Sequence, residues 1–229
     1  MRLKRNGSYT LHRKSKKEKE KSSETKKLYL ELEYARAHVT DCDFRSLVRL
    51  PPAIDRNEWL ATYTTTFFNH VNLQYSTVSE FCTSTSCPCM TIPGMQLYWQ
   101  EGERGKKLKC TGPQYVDYVM CYVQRLVTDE KIFPTKYGRD FPNFFNSYVQ
   151  KIFRYLFHVL AHVYWAHFRE TVALDVHSHL NSLYAHLLTF CVEFSLLPPE
   201  ELALMAELND ALLPRPSAVG PRAQISRRR

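Results

Sequence analysis

The sequence predicts an all-α protein, a bundle of four or five main helices with one small β-hairpin. The strongest indication is the segment 143–172, which is apolar over most of its length and contains no Gly or Pro. Apolar residues recur at helical spacing in several other segments, and the 229 residues include only 7 Gly. A chain of this length can bury one sizeable hydrophobic core.

The first long helix is expected from about residue 56 to 73. Asp55 or Asn57 can cap its first turn, and Glu58 lies where the positive end of the helix dipole favours an acid. Its approximate apolar face consists of Trp59, Phe67, Val71 and Leu73. The β-branched residues of "TYTTTFF" lower the intrinsic helix propensity, so tertiary packing must stabilise this helix.

The remaining elements follow in order along the chain. Short runs on both sides of "EGERGKK" predict a small hairpin, and "QYVDYVMCYVQRLVTDE" predicts a helix that Thr111 caps before Pro113. The segment 143–172 is expected to be the central helix, buried on most sides. Two further helices are expected in "HSHLNSLYAHLLTFCVEFSLL" and "PEELALMAELNDALL".

The basic residues are concentrated at the two ends of the chain. Residues 1–27 contain 11 Lys and Arg and three acidic residues, and residues 211–229 contain five Arg and no acidic residue. Residues 28–210 therefore hold 15 basic and 20 acidic residues, although the whole chain has a net charge of +8. This division predicts one acidic folded domain, 28–210, between two basic disordered tails, and a specific partner with a basic surface.

No apolar run approaches the roughly 18 residues of a membrane-spanning helix, and the Lys-rich start lacks the apolar segment of a secretory signal. A cytoplasmic and nuclear location is therefore expected, where structural disulfides are rare. The scattered Cys42, Cys110, Cys121 and Cys191 are expected to be buried as small hydrophobic residues.

A possible metal site combines the stretch "FCTSTSCPCM" with the histidines of "HVLAHVYWAH". Zinc in structural sites takes four nitrogen or sulfur ligands, and two Cys with two His are a common set. Cys82 and Cys87 are the better thiol candidates, and Cys89 is the weakest. On a helix of about 100° per residue, His158 and His162 share a face, whereas His162 and His167 diverge by about 140°. Spacing alone therefore slightly favours His158 with His162; hydrogen-bonded core histidines beside inert cysteines remain an alternative.

Several long strings resemble the Mob (Mps-one-binder) family of kinase regulators. They are "FCTSTSCPCM" followed by a hairpin, "AHVYWAHF", and "NEWLATYTTTFFNHVNLQYSTVSEFC". The string "AHVTDCDFRSLVRLPPAIDRNEWLA" is most similar to the type 2 branch of that family. The resemblance covers about residues 28–195 and implies a Mob/phocein-like fold with a four-helix core. It also implies a structural zinc ion bound by Cys82, Cys87, His162 and His167, which overrules the preference for His158.

The resemblance further implies a non-catalytic subunit that binds the basic N-terminal regulatory segment of nuclear Dbf2-related (NDR) Ser/Thr kinases. Such a subunit can compete with type 1 Mob proteins for the kinase. Positions matching the family's kinase-binding surface are Phe44 and Leu47 as apolar contacts, Asp55 and Glu58 as acidic contacts, and Trp59 as an aromatic anchor. Ordinary core packing is an alternative role for Phe44, Leu47 and Trp59, and Glu58 could simply stabilise its helix.

The sequence differs from the type 1 pattern at two places that affect which partners it is expected to bind. Thr66 stands where type 1 members have an acidic residue, which implies a narrower choice of kinase. Of three basic residues that grip a phosphorylated peptide in type 1 members, only Arg154 remains, with Tyr155 and His158 at the other places. Because a phosphate needs charge-assisted donors, phosphopeptide binding there is expected to be weak or absent.

Other classes of function receive less support. "HVLAH" lacks the Glu of the H-E-x-x-H motif, and no nucleophile elbow or phosphate-binding loop is present, so neither an enzyme nor a small-molecule substrate is expected. Nucleic acid is an unlikely partner because the folded part is acidic. An RNA- or membrane-associated adaptor that acts through the basic tails remains the alternative hypothesis.

Overall fold

The computed structural model describes residues 25–100, 105–136 and 138–213. Most of both predicted basic tails, 1–24 and 214–229, lies outside the described residues. The described part is mostly helical with one small sheet, so the all-α prediction is confirmed. A 3₁₀ turn, Thr25–Leu30, precedes the helices α1 (Leu32–Ala35), α2 (Phe44–Val48), α3 (Arg56–Ser76), α4 (Gly112–Val127), α5 (Phe145–Ala166), α6 (Phe168–Ala173), α7 (His177–Glu193), α8 (Pro199–Ala203) and α9 (Ala206–Leu212).

Four long helices, α3, α4, α5 and α7, form the core. The central helix α5 packs against the other three, and α3 also contacts α4 and α7. The side chains of Phe153, Leu156, Phe157 and Leu160 in α5 are fully buried. The helix is therefore apolar around most of its circumference because it has neighbours on most sides.

The starts of α3 and α4 follow the local chemistry of the sequence. The Asp55 carboxylate accepts hydrogen bonds from the backbone nitrogens of Asn57, at 2.8 Å, and Glu58, at 3.2 Å. The hydroxyl of Thr111 accepts from the Gln114 backbone nitrogen, and the Gln114 side chain accepts from the Thr111 nitrogen in return. These contacts satisfy amides that a helix start leaves without partners.

Two predicted helices are interrupted in the structure. The central helix ends at Ala166, and His167 leaves the helical conformation with φ −131° and ψ 17° before α6 begins. The last predicted helix is divided into α8 and α9, since Met205 has φ −120° and ψ 26°. No Gly or Pro marks either break, so residue propensity gave no indication of them.

The small hairpin lies earlier than the sequence suggests. Strands β1 (Thr91–Ile92) and β2 (Met95–Gln96) pair antiparallel across a turn in which Gly94 has a φ of +71°. A single antiparallel bridge between Trp99 and Leu108 flanks the "EGERGKK" turn, of which residues 101–104 lie outside the described part.

The four scattered cysteines differ in their exposure to solvent. Cys110 and Cys191 are buried as predicted, but Cys42 and Cys121 are exposed, so the prediction was wrong for these two.

Within the described residues, no helix has the length and apolar character that crossing a membrane requires.

Candidate functional site

The two candidate cysteine ligands lie in the loop between α3 and β1. The Cys82 backbone nitrogen donates to the carbonyl oxygen of Val78, so Cys82 continues from the turn that ends α3. The Ser86 hydroxyl donates to the Phe81 carbonyl at 2.6 Å, and the Cys87 nitrogen donates to the Thr83 carbonyl at 2.8 Å. These local bonds close the loop and turn both sulfur atoms inward.

Tertiary structure places these sulfurs beside two histidines that lie 80 residues later. The Sγ atom of Cys82 lies 3.5 Å from Nε2 of His162, and the Sγ atom of Cys87 lies 3.3 Å from Nε2 of His167. All four candidate ligand atoms lie within 4.8 Å of one another, and all four residues are buried. With ordinary zinc–ligand distances, a sulfur–nitrogen edge of a tetrahedral site measures about 3.6 Å. The four residues can therefore hold a metal ion.

The hydrogen bond on the far side of the His162 ring also suits a metal. Nδ1 of His162 donates to the Thr91 carbonyl oxygen at 2.7 Å, which leaves the lone pair of Nε2 facing the sulfurs. Such a carbonyl is a common partner for the remaining ring nitrogen of a metal-binding histidine. Nδ1 of His167 is buried and has no hydrogen-bond partner among the described residues.

Gly112 lets the start of α4 approach the four candidate ligands. A β-carbon at this position would lie 2.7 Å from Cβ of Cys87, 3.2 Å from Sγ of Cys82 and 3.1 Å from Nε2 of His162. The Gly112 nitrogen also donates to the Cys87 carbonyl at 2.8 Å. The positive end of the α4 dipole therefore lies near the sulfurs, where it favours thiolates. The sequence reasoning missed Gly112, although Gly directly after the predicted cap Thr111 was a usable signal.

The two thiols influence each other's acidity. The contact with Cys82 lowers the pKa of the Cys87 thiol, and the contact with Cys87 raises the pKa of the Cys82 thiol. A metal ion binds cysteine as the thiolate, so metal binding releases any proton that these sulfurs still hold.

His158, which spacing alone preferred, lies in a separate network. Its Nδ1 atom is 2.9 Å from the Tyr115 hydroxyl, and its Nε2 atom is 3.0 Å from a carboxylate oxygen of Glu201. Arg154 bonds the other Glu201 oxygen through Nε at 2.9 Å. His162 and His167 converge instead, because α5 ends between them at Ala166 and the angle of a regular helix no longer applies. Cys89 is half-buried and is not one of the four grouped residues.

The five residues predicted to bind a partner lie on α2 and at the start of α3. Leu47 is 47% exposed, and Asp55 and Glu58 are exposed as well. Phe44 is half-buried and stacks on the ring of His186, with centroids 5.2 Å apart. Trp59 is also half-buried, and its indole nitrogen donates to the Val48 carbonyl at 3.1 Å. Trp59 therefore has a structural role within the chain, because this bond joins α3 to α2.

Comparison with known proteins identifies the family. The profile of the Mob1/phocein family matches residues 36–205, which include all four candidate metal ligands. The chain belongs to this family.

Its relatives extend the similarity over most of the chain. It is 59% identical to human "MOB kinase activator 2" over 194 residues, which is 85% of this chain and 81% of the relative. It is 57% identical to the mouse protein of the same name over 202 residues, 88% of this chain and 86% of the relative. It is 42% identical to "MOB kinase activator-like 1 homolog A" of Dictyostelium discoideum over 202 residues, 87% of this chain and 95% of the relative.

Proposed function

We propose that this chain is a non-catalytic regulatory subunit that binds the basic N-terminal regulatory segment of NDR-type Ser/Thr kinases. The observation that carries the proposal is the similarity to proteins named kinase activators, which extends over 85% of the chain or more. The acidic balance of residues 28–210 supports a basic partner, since opposite charges accelerate encounter and fix orientation. Competition with type 1 Mob proteins for the same kinase segment is part of the proposal.

The surface proposed for the kinase segment combines apolar and acidic side chains. Leu47 offers an exposed aliphatic contact beside the half-buried ring of Phe44. Asp55 and Glu58 are exposed one helical turn apart at the start of α3, and neither forms an ion pair with a described Lys or Arg. The indole of Trp59 is bonded to the Val48 carbonyl of α2. We therefore assign Trp59 two roles: it holds α2 in position, and it contacts the kinase segment.

We further propose that the metal held by Cys82, Cys87, His162 and His167 is zinc and that its role is structural. Two sulfur and two nitrogen donors suit zinc, and four protein ligands leave no coordination position for a reacting water. When bound, the ion would join the α3–β1 loop to the end of α5, so that its binding free energy stabilises the fold. We propose a cytoplasmic and nuclear location for the complex, where the thiols stay reduced.

The proposal is tested by binding of a synthetic N-terminal segment of an NDR kinase to the full chain. Calorimetry at about 50 mM and about 300 mM salt should give binding that weakens as salt rises, because exposed charge pairs are screened. The same segment with its Lys and Arg replaced by Gln is the matched control and should not bind. Absence of binding at low salt, or binding that ignores both salt and the control substitutions, would refute the proposal.

A further inference from the structure

Two neighbouring cavities lie along α2. The first has a volume of about 440 Å³, and Asp41, Asp43 and Leu213 are among its lining residues. The second has a volume of about 610 Å³ and lies between α2, α3 and α7. Both are lined by Thr40, Cys42 and Phe44, so they adjoin the same short segment, and together they are called the α2 groove.

The second cavity has the surface of a peptide-binding site. Val39, Leu47 and Leu73 line it and are 49%, 47% and 66% exposed, which is unusual for three neighbouring aliphatic side chains. The side chain of Gln74 lines the same cavity and is only 6% exposed. Its Nε2 atom is buried and has no hydrogen-bond partner among the described residues. A peptide would supply both aliphatic contacts and a carbonyl oxygen for this amide.

The described chain ends at the wall of this groove. Leu212 and Leu213, the last described residues, both line the first cavity. The next residues are "PRPSAVGPRAQISRRR", segment 214–229, which contains five Arg and no acidic residue and includes the aliphatic Val219 and Ile225. Sixteen residues span up to about 50 Å when extended, and this segment starts at the wall of the first cavity.

The charges along the groove complement this segment. Asp41 and Asp43 line the first cavity, are exposed, and form no ion pair with a described Lys or Arg. Arg45 is the only Lys or Arg among the described residues that line the two cavities. Because the segment is joined to the wall of the groove, its local concentration there is in the millimolar range, so weak contacts suffice to hold it.

We propose that segment 214–229 occupies the α2 groove of its own chain, with its aliphatic residues in the second cavity and its Arg side chains against Asp41 and Asp43. Phe44 and Leu47 line the same groove and belong to the surface proposed for the kinase segment. The tail therefore acts as an internal competitor that a basic partner must displace. This regulatory consequence rests on the proposed function, whereas the docking itself does not.

Two exposed cysteines provide the test. Cys42 lines both cavities, and Cys121 is an exposed thiol that lines a different cavity, on α4. Full-length protein is alkylated with the uncharged reagent N-ethylmaleimide, and labelling at each cysteine is followed by peptide mass spectrometry. The test variant carries Ser at the five Arg positions 215, 222, 227, 228 and 229. The charge-matched control carries Ser at Lys14, Lys16, Lys17, Lys19 and Lys21 of the other basic segment.

If the tail occupies the groove, Cys42 should react about threefold faster or more in the Arg→Ser variant, as expected for removal of a tethered competitor. Cys121 should react at the same rate in all three proteins, and the Lys→Ser control should resemble the unmodified protein. Equal Cys42 rates in all proteins would refute the proposal. So would a Cys42 rate that falls with protein concentration, which indicates a second copy in the groove, or faster Cys42 labelling in the Lys→Ser control.

Kinase-segment binding to the same proteins separates this inference from the proposed function. Tighter binding to the Arg→Ser variant than to the unmodified protein supports both. If the segment binds neither protein while Cys42 protection still depends on the five Arg, the docking stands and the proposed function fails. If the segment binds both with equal affinity and Cys42 is never protected, the proposed function stands and the docking fails.

Discussion

Nδ1 of His162 donates a hydrogen bond to the Thr91 carbonyl oxygen, and this contact turns Nε2 of the same ring to the sulfur of Cys82, 3.5 Å away. The bond joins α5 to β1 and also sets the tautomer of the ring. A histidine held in this way presents its lone pair before a metal arrives, which lowers the cost of assembling the site.

The ligand assignment predicts that Cys82→Ser or His162→Ala releases the metal and unfolds the protein at a lower temperature. Removing a buried ligand should cost at least about 3 kcal/mol, or about 10 °C in Tm for a chain of this size. Elemental analysis and differential scanning calorimetry measure the two effects. His158→Gln is the matched control on the same helix and should retain the metal, since His158 bonds Tyr115 and Glu201 instead. Loss of metal in this control alone would overturn the ligand assignment.

The close approach of α4 predicts that Gly112→Ala disturbs the metal site. The added methyl group would lie 2.7 Å from Cβ of Cys87, so the loop must shift, and we expect a loss of about 1 to 3 kcal/mol and weaker metal retention. Gly94→Ala is a suitable control, because Gly94 has a φ of +71° but the methyl group that the substitution adds would meet no atom within 4 Å. That control should lose stability through backbone strain and keep the metal. Full metal retention by Gly112→Ala in competition with a chelator would contradict the expectation.

The proposed kinase surface predicts that Glu58→Lys weakens binding of the basic kinase segment about tenfold or more, because a favourable charge becomes repulsive. Its exposed side chain contributes to the start of α3 mainly through the dipole, so the stability cost should stay below about 1 kcal/mol. Calorimetric binding and thermal unfolding measure these effects. Glu80→Lys reverses an exposed acid in the turn that follows the other end of α3 and should leave binding intact. If both variants lost the same amount of binding affinity, the kinase segment would bind at another surface or would respond only to the net charge of the protein.

The environment of His186 predicts a specific loss of stability in acid. Burial, with a smaller contribution from His70, lowers the pKa of His186 from 6.5 to about 4. The folded protein therefore binds this proton less readily than the unfolded chain does. The stabilising contribution is complete above about pH 6.5 and is lost as the pH falls towards 4.

The variant His186→Phe preserves an aromatic ring against Phe44 but cannot be protonated. Urea unfolding between pH 7 and 4 should show a shallower decline for this variant than for the unmodified protein. Both proteins contain the same other titratable groups, so the comparison isolates the contribution of His186. Parallel stability curves would show that His186 does not titrate on unfolding in this range.

The sequence predicted the order of the main helices from the spacing of their apolar residues, and two of these helices, α3 and α4, also carry a local cap. Residue type and position gave Asp55 or Asn57 as the cap of α3 and Thr111 as the cap of α4, and the structure gives the role to Asp55 and Thr111. Their hydrogen bonds reach only two or three residues along the chain, so local sequence suffices to predict them.

The metal site was only partly predictable from spacing. The cysteine pair was evident, but the choice between His158 and His167 depended on where α5 ends, and that end has no Gly or Pro. The family resemblance implied His167 as the fourth ligand. The structure explains how its ring can meet that of His162, since α5 ends between the two residues. The exposure of Cys42 and Cys121 could not be predicted from their apolar neighbours in the sequence either, because exposure depends on which elements pack over a residue.

By itself, the sequence determined the all-α class, the helix caps, the acidic charge balance of residues 28–210 and the pair of cysteines that could bind a metal, since each follows from composition or from contacts within a few residues. Tertiary structure alone decided that His162 and His167 meet Cys82 and Cys87, that His158 bonds Glu201, and that Gly112 must lack a β-carbon. These relationships join atoms far apart in the chain, and their distances are fixed by the packing of whole helices against one another.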